Sequence, residues 1–300
     1  MKKINKNNII IIILLILLTL YIKNSSFVIK NILDYTNLFI SKLFPANFIF
    51  FIISSLLIEY NFIQKISKLL HIDGAIFYVV VMSMISGFPS GSKYIKDLYN
   101  KEIISLKTAN YLIKFTHFPN PIFILGSVSI LFEDKHYATY ILIAIILSNL
   151  IIGFFLKPKT KDKIVYKQKN NISLAISLQS AITDSIKTIV LIYGTSIFFY
   201  LIVTIFNNYI RLDLYMYVLI NGFFDLTKGI FLTSLITSDL IKSILIILFI
   251  SFGSISVNMQ VKSIISDTQI NYYNFLIFRI FQFIISSIIF LLIIYWSNNF

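Results

Sequence analysis

The sequence predicts an all-α polytopic membrane protein, an inverted-repeat helical bundle with broken and re-entrant helices. Of its 300 residues, 57% are hydrophobic and only 13% are charged, and the mean hydropathy is +0.84. A soluble domain of this length carries roughly 25% charged residues. The apolar residues form long runs rather than short alternating segments, which favours membrane-spanning helices over a barrel. Glycine, proline and polar residues interrupt some of these runs, and such interruptions predict broken helices.

Composition also excludes several classes of function. The net charge of +13 does not indicate a nucleic-acid partner, because the lysines flank apolar runs as in cytoplasmic loops. Cysteine is absent, which removes disulfides and thiolate metal sites. The histidines, His71, His117 and His136, are too far apart to form a metal-spaced cluster. No arrangement of nucleophile, base and acid suggests an enzyme, and no cofactor or metal site is predicted.

Residues 1–26 are predicted to be an N-terminal transmembrane anchor helix. An apolar run at 8–22 follows three lysines, and no small-residue cleavage site comes after it. We therefore expect a retained first helix with its N-terminus inside the cell.

Residues 27–156 are predicted to form the first membrane repeat. An amphipathic interfacial segment comes first, then a span, a broken segment, a polar helix, a second break with a short re-entrant arm, and a closing span. The ranges are, in that order, 27–42, 43–63, 72–91, 93–114, 119–132 and 137–156. The arm at 122–132 is too short for the roughly 20 residues that a helical span needs.

A basic loop at 157–171 divides the chain near its middle and is predicted to be cytoplasmic. It carries one acid, Asp162, against Lys157, Lys159, Lys161, Lys163, Lys167 and Lys169.

The second repeat, 172–300, follows the same plan. Its segments are an amphipathic helix, a span, an interrupted span, a short broken run and a final span, at 172–187, 188–206, 215–235, 241–256 and 275–296. With the N-terminus and the basic loop both inside, the repeats are inverted, and paired broken helices then point to a secondary transporter. A second lysine cluster, at 93–114, would lie outside the cell in this topology, although lysines favour the cytoplasmic side. A re-entrant hairpin that dips into the membrane from either side would resolve this conflict.

The first candidate binding site is the break at residues 87–93. Freed backbone N–H groups and hydroxyls there suit an anionic group at a helix N-terminus. The alternative is a simple kink, with the lysine as an interfacial anchor. The predicted binding residues are Gly87, Pro89, Ser90, Gly91, Ser92 and Lys93.

Asn120 lies between two prolines and is either a ligand or part of a turn. In the second repeat, Asn221, Asp225 and Thr227 lie in an interrupted apolar run, where a carboxylate is costly and marks a candidate functional site. The alternative is that Asp225 only neutralises Lys228, three residues on.

Three further polar residues follow the last break, and hydroxyl and small residues there serve equally well as helix-packing groups. They are Ser254, Ser256 and Gln260.

Together these motifs resemble the YlbJ (SpoVV) family of sporulation integral membrane proteins, which belong with the nucleoside-recognition or Gate domain proteins. The resemblance rests on SGFPSGSK at 86–93, EIIS at 102–105, NPIFILG at 120–126, NGFFDLTKG at 221–229, FGSISVNMQV at 252–261, and Arg279. It covers most of the chain and implies a fold like that of concentrative nucleoside transporters. It also implies a role in endospore formation, in moving dipicolinate across the outer forespore membrane from the mother cell.

The predicted function is therefore a membrane transporter or permease for a small anionic or nucleoside-like solute. Its expected partners are dipicolinate or a nucleoside, the lipid bilayer, a coupling H⁺ or Na⁺, and a second copy of the chain. The alternative is a non-transporting membrane scaffold required for assembly of the spore envelope and cortex.

Overall fold

A computed structural model describes residues 6–70, 73–158, 173–297 and 299. Within these ranges the chain is helical and contains no strand. Apart from Lys157 and Pro158, the predicted basic loop lies outside the described residues.

The described part of the first half contains eight α-helices, with a π-helical turn between α2 and α3 and a short π-helical and 3₁₀ segment before α8. They are α1 Lys6–Lys23, α2 Ser25–Leu38, the turn Phe39–Leu43, α3 Phe44–Glu59, α4 Phe62–Leu70, α5 Gly74–Ser86, α6 Ser90–Asn100, α7 Leu106–Leu112, the segments Phe123–Val128 and Ser129–Leu131, and α8 His136–Phe155.

The described part of the second half contains six α-helices. They are α9 Leu174–Tyr209, α10 Leu214–Phe224, α11 Leu226–Leu232 with a 3₁₀ turn at Thr233–Leu235, α12 Asp239–Phe252, α13 Ser254–Ile264 and α14 Tyr272–Ser297.

Four helices among the described residues are long and apolar enough to cross a membrane, and two bent pairs raise that number to as many as six. The four are α8, α9, α12 with α13, and α14. The bent pairs are α1 with α2, which meet at 95°, and α3 with α4, which meet at 70°. The prediction of an all-α polytopic membrane protein is confirmed.

The two halves share an order of elements. Each has a span, then a hairpin of two short helices, then a broken pair, then a closing span. The spans α3 and α9 pack against each other, as do the closing spans α8 and α14. In the hairpins, α5 packs on α6 and α10 packs on α11. Whether the halves are inverted across the membrane, and where their domain boundaries fall, stay predictions.

The single span predicted at 43–63 is divided, since α3 ends at Glu59 and α4 begins at Phe62 at an angle of 70°. Two further elements also differ from the sequence prediction. The segments predicted at 172–187 and 188–206 form one continuous helix of 36 residues, α9. No glycine or proline separates them, and Thr188 at the expected boundary donates its hydroxyl back to Asp184 O within the helix, at 2.9 Å. Conversely, the polar helix predicted at 93–114 is broken, because Glu102 adopts a positive φ of 57° and Ser105 starts α7 by capping Thr108 N.

The sidedness of the basic loop can be tested directly, since the chain has no cysteine. A Thr160→Cys variant should resist a membrane-impermeant thiol reagent in intact cells and react after permeabilisation, because lysine-rich loops stay in the cytoplasm. Labelling in intact cells would overturn the predicted topology and the inverted repeat with it.

Candidate functional site

A cavity of about 330 Å³ lies between the two halves of the chain. Its wall is built from the tips of both hairpins, the start of the 122–131 segment, and helices α2, α3, α9 and α13. The residues that line it are Tyr35, Leu38, Leu43, Asn47, Ser86, Phe88, Pro89, Asn120, Ile122, Phe123, Ser127, Ile192, Ser196, Asp225, Leu226, Thr227, Phe231, Ser256, Val257 and Gln260. The helix breaks of the two halves therefore open on one shared space.

The first hairpin tip is held against the crossing segment that follows α7. Gly87 has a φ of 77°, a conformation that favours glycine. A Cβ there would overlap the backbone of Asn120, so the glycine also permits the close approach. Phe88 N donates to Phe118 O at 2.8 Å, and the Asn120 amide donates to Ser86 O at 3.3 Å.

Both polar atoms of the Asn120 side chain form hydrogen bonds. Its Oδ1 accepts from the backbone N–H groups of Ile122 and Phe123, at 2.8 and 3.3 Å, and so caps the start of the 122–131 segment. Its Nδ2 donates to Ser86 O. The turn interpretation thus has a specific structural basis, although the residue also lines the cavity.

The break in the second hairpin falls on Asp225 and not at the neighbouring glycines. Asp225 has extended backbone angles, φ −133° and ψ 122°, and joins the end of α10 to the start of α11. Its Oδ1 accepts from Lys228 N at 2.9 Å, which caps α11. Gly222 and Gly229 lie within the helical arms, and a Cβ on Gly229 would overlap Gly222 Cα. Because neither glycine has a side chain, α10 and α11 can pack in direct backbone contact.

The expected ion pair between Asp225 and Lys228 is not among those formed by the described residues. Instead the Lys228 ammonium donates to Thr204 Oγ1 at 2.7 Å and lies 4.9 Å from the centre of the Tyr200 ring. Both partners belong to α9, so this lysine ties the second hairpin to the long span. Asp225 is only 2% exposed and lines the cavity.

Six of the predicted binding residues line the cavity: Pro89, Asn120, Asp225, Thr227, Ser256 and Gln260. The others do not line it: Gly87, Ser90, Gly91, Ser92, Lys93, Asn221 and Ser254. Lys93 is buried and forms an ion pair with Asp97 at 2.6 Å within α6. Ser254 donates its hydroxyl to Gly222 O, and Asn207 donates its side-chain amide to Asn221 Oδ1.

Sequence reasoning missed several polar residues of the wall. Tyr35 and Asn47 come from the amphipathic segment and the first span, and Ser196 from α9. The amide of Gln260 donates to Ser196 Oγ at 2.7 Å, which joins α13 to α9 across the wall. A single polar residue in an apolar helix could have indicated a place in the wall. Many such residues, however, only form contacts between packed helices.

The described residues of the cavity lining include one acidic side chain and no basic one. Among the residues that the structure describes, Asp225 supplies its one carboxylate, and no lysine or arginine contributes. Four aromatic rings, those of Tyr35, Phe88, Phe123 and Phe231, surround hydroxyl and amide groups. The cavity wall is therefore largely aromatic and apolar, with hydroxyl and amide groups and a single carboxyl group among the described residues.

Fold and cavity define a multi-pass integral membrane protein in which both halves contribute a helix break to one internal site. The chain is similar to the sporulation integral membrane protein YlbJ of Bacillus subtilis (strain 168), with 26% identity over 302 aligned positions that cover 83% of this chain and 73% of the relative. No family model and no solved structure matches it. This similarity supports a membrane role in sporulation.

Proposed function

We propose that the protein is a transporter that carries a small, ring-bearing polar solute through the membrane, with dipicolinate as the favoured substrate. The observation that carries this proposal is that the breaks of both hairpins line one cavity. Irregular backbone at membrane depth is tolerated where it is buried or faces a cavity, and such breaks mark binding sites in secondary transporters.

The size and lining of the cavity support a small planar solute. A volume of about 330 Å³ is at the lower end of the range for ligand pockets, roughly 300–1,000 Å³. Phe88 and Phe231 offer ring faces from the two hairpins, while Thr227 and Ser256 offer hydroxyls that bond to carboxylate or carbonyl oxygens.

The charge of the wall adds a condition to this proposal. A dicarboxylate would be repelled by an ionised Asp225, and no described lysine or arginine in the wall offsets that repulsion. A proton on Asp225 removes the repulsion and makes the acid a hydrogen-bond donor to the solute. Sodium beside the carboxylate would have a similar effect on charge. The solute is therefore proposed to travel with H⁺ or Na⁺.

The biological setting follows from the relative. YlbJ of Bacillus subtilis is a sporulation integral membrane protein. For the present chain we propose transport across the outer forespore membrane, where dipicolinate would leave the mother cell. The alternative role, a membrane scaffold needed for cortex assembly, requires no solute movement.

Uptake into membrane vesicles separates the two roles. Vesicles that contain the protein should accumulate labelled dipicolinate above the level of vesicles without it, and an inward gradient of the coupling ion should increase the rate. If H⁺ is the coupling ion, a proton gradient gives the increase and a protonophore removes it. If Na⁺ is the coupling ion, a Na⁺ gradient gives the increase and replacement of Na⁺ by choline removes it. Labelled uridine tests the nucleoside-like alternative. Uptake of both solutes no greater than in empty membranes would favour the scaffold.

A further inference from the structure

His117 lies in the crossing segment between α7 and the 122–131 segment and is 2% exposed. Its ring stacks on that of Phe88, with centroids 4.6 Å apart and an angle of 13° between the planes. Phe88 in turn lines the cavity at the tip of the first hairpin. The edge of the histidine meets Phe275 of α14, with centroids 5.3 Å apart at 73°. The histidine ring is thus a platform beneath a wall residue.

The orientation of this ring is fixed from the second half of the chain. Its Nε2 lies 3.2 Å from Ile250 O near the end of α12, and since a carbonyl only accepts, Nε2 carries the hydrogen and donates. Gly253 follows at the break, with a φ of 82°. A Cβ on Gly253 would lie 3.1 Å from Nε2, so the glycine leaves room for the histidine.

The backbone at His117 is fixed by the two closing spans. Its carbonyl accepts from Asn149 of α8 at 2.9 Å and from Gln282 of α14 at 3.3 Å. Gln282 Oε1 accepts from Arg279, which is fully buried and also donates to Lys114 O. These bonds satisfy the backbone carbonyls of His117 and Lys114, which the interrupted helix leaves free.

We propose that His117 is the positioning residue of the cavity: its flat ring holds the Phe88 ring at the wall, while its backbone carbonyl joins this segment to α8 and α14. This inference rests on the proposed function, because Phe88 is taken to contact the solute. The residue acts through Phe88 and does not itself line the cavity. An aromatic ring at position 117 should therefore preserve the affinity for the solute, whereas the flexible amide side chain of glutamine should not.

The test compares two substitutions and a matched control. His117→Gln retains an N–H donor but removes the platform, and we expect the KM for dipicolinate uptake to rise at least tenfold with Vmax and membrane level within twofold. His117→Phe retains a flat ring, and its KM should stay within threefold of the parent. His136→Gln, at the start of α8, where the histidine side chain is 76% exposed, should leave KM and Vmax unchanged. An unchanged KM in His117→Gln, or an equal rise in His117→Phe, would refute the proposal.

A second readout does not depend on transport. In the Thr227→Cys background, whose thiol is the only one in the chain, the rate of reaction with a small methanethiosulfonate reports access to the opposite wall. Adding His117→Gln should release the Phe88 ring into the cavity and slow labelling at least threefold, while His117→Phe should not. If the parent shows no uptake but labelling follows this pattern, the proposed function fails and the positioning role stands. Equal labelling rates in all three would overturn the positioning role.

Discussion

Replacing Asp225 by asparagine is expected to lower gradient-driven uptake at least tenfold, about 1.4 kcal/mol, with little change in the amount of protein in the membrane. Asparagine is as good a helix N-cap as aspartate, so its Oδ1 keeps the bond from Lys228 N that starts α11. What it loses is the capacity to bind a proton or to neutralise a cation beside the solute. The measurement is the initial uptake rate in vesicles, normalised to protein level.

The double variant Asp225→Asn with Lys228→Met distinguishes the coupling role from simple charge balance. If Asp225 only offsets the nearby ammonium, the single change strands a buried charge and lowers expression, and the double change restores level and activity together. The structure argues against this, because Lys228 donates to Thr204 on α9. Full uptake in the double variant would reject Asp225 as a coupling or substrate residue.

A second large effect is expected at the crossing of the hairpin arms. The added methyl group of Gly229→Ala would overlap the Cα of Gly222, and backbone cannot move aside as a flexible side chain can. We expect a loss of about 1–3 kcal/mol in stability, as for other overpacked interiors. It should appear as a lower unfolding temperature in detergent and a smaller folded fraction.

The matched control is Gly194→Ala, in the long helix α9, where the new methyl group has no atom within 4 Å beyond the adjacent backbone of its own helix. Alanine is more stable than glycine within a helix by roughly 0.5–1 kcal/mol, so this variant should be neutral or slightly stabilised. Equal behaviour of the two variants would show that the close approach of the hairpin arms does not matter.

Much of the fold was predictable because its signals are local. Glycine and proline at 87–89 end α5, as expected, and the long apolar run at 137–156 predicted α8 within a residue of its observed ends. The continuity of α9 was not predicted, because an amphipathic stretch and an apolar stretch were taken as two elements. Whether such stretches join depends on what each face meets, which is settled by tertiary packing.

The candidate site was predicted less well, for a physical reason. A motif shows that a helix breaks, but not which side chains face the cavity and which satisfy the backbone freed by the break. Ser254 and Asn221 form hydrogen bonds to neighbouring helices, to Gly222 O of α10 and from Asn207 of α9. Lys93 forms an ion pair with Asp97, one helical turn further along α6. His117 gave no sequence signal beyond being a lone histidine, since its partners Phe88 and Ile250 are distant in the chain.

The central claim is that one cavity, walled by both halves of the chain, binds the solute. Thiol protection tests it most directly, with single cysteines placed in the first half at Ser127, in the second half at Thr227, and at the exposed Ser266 as a control. Dipicolinate, at concentrations that saturate uptake, should slow methanethiosulfonate labelling of the Ser127→Cys and Thr227→Cys variants at least fivefold and leave Ser266→Cys unchanged. Protection at neither wall, or equal protection at all three positions, would contradict the account.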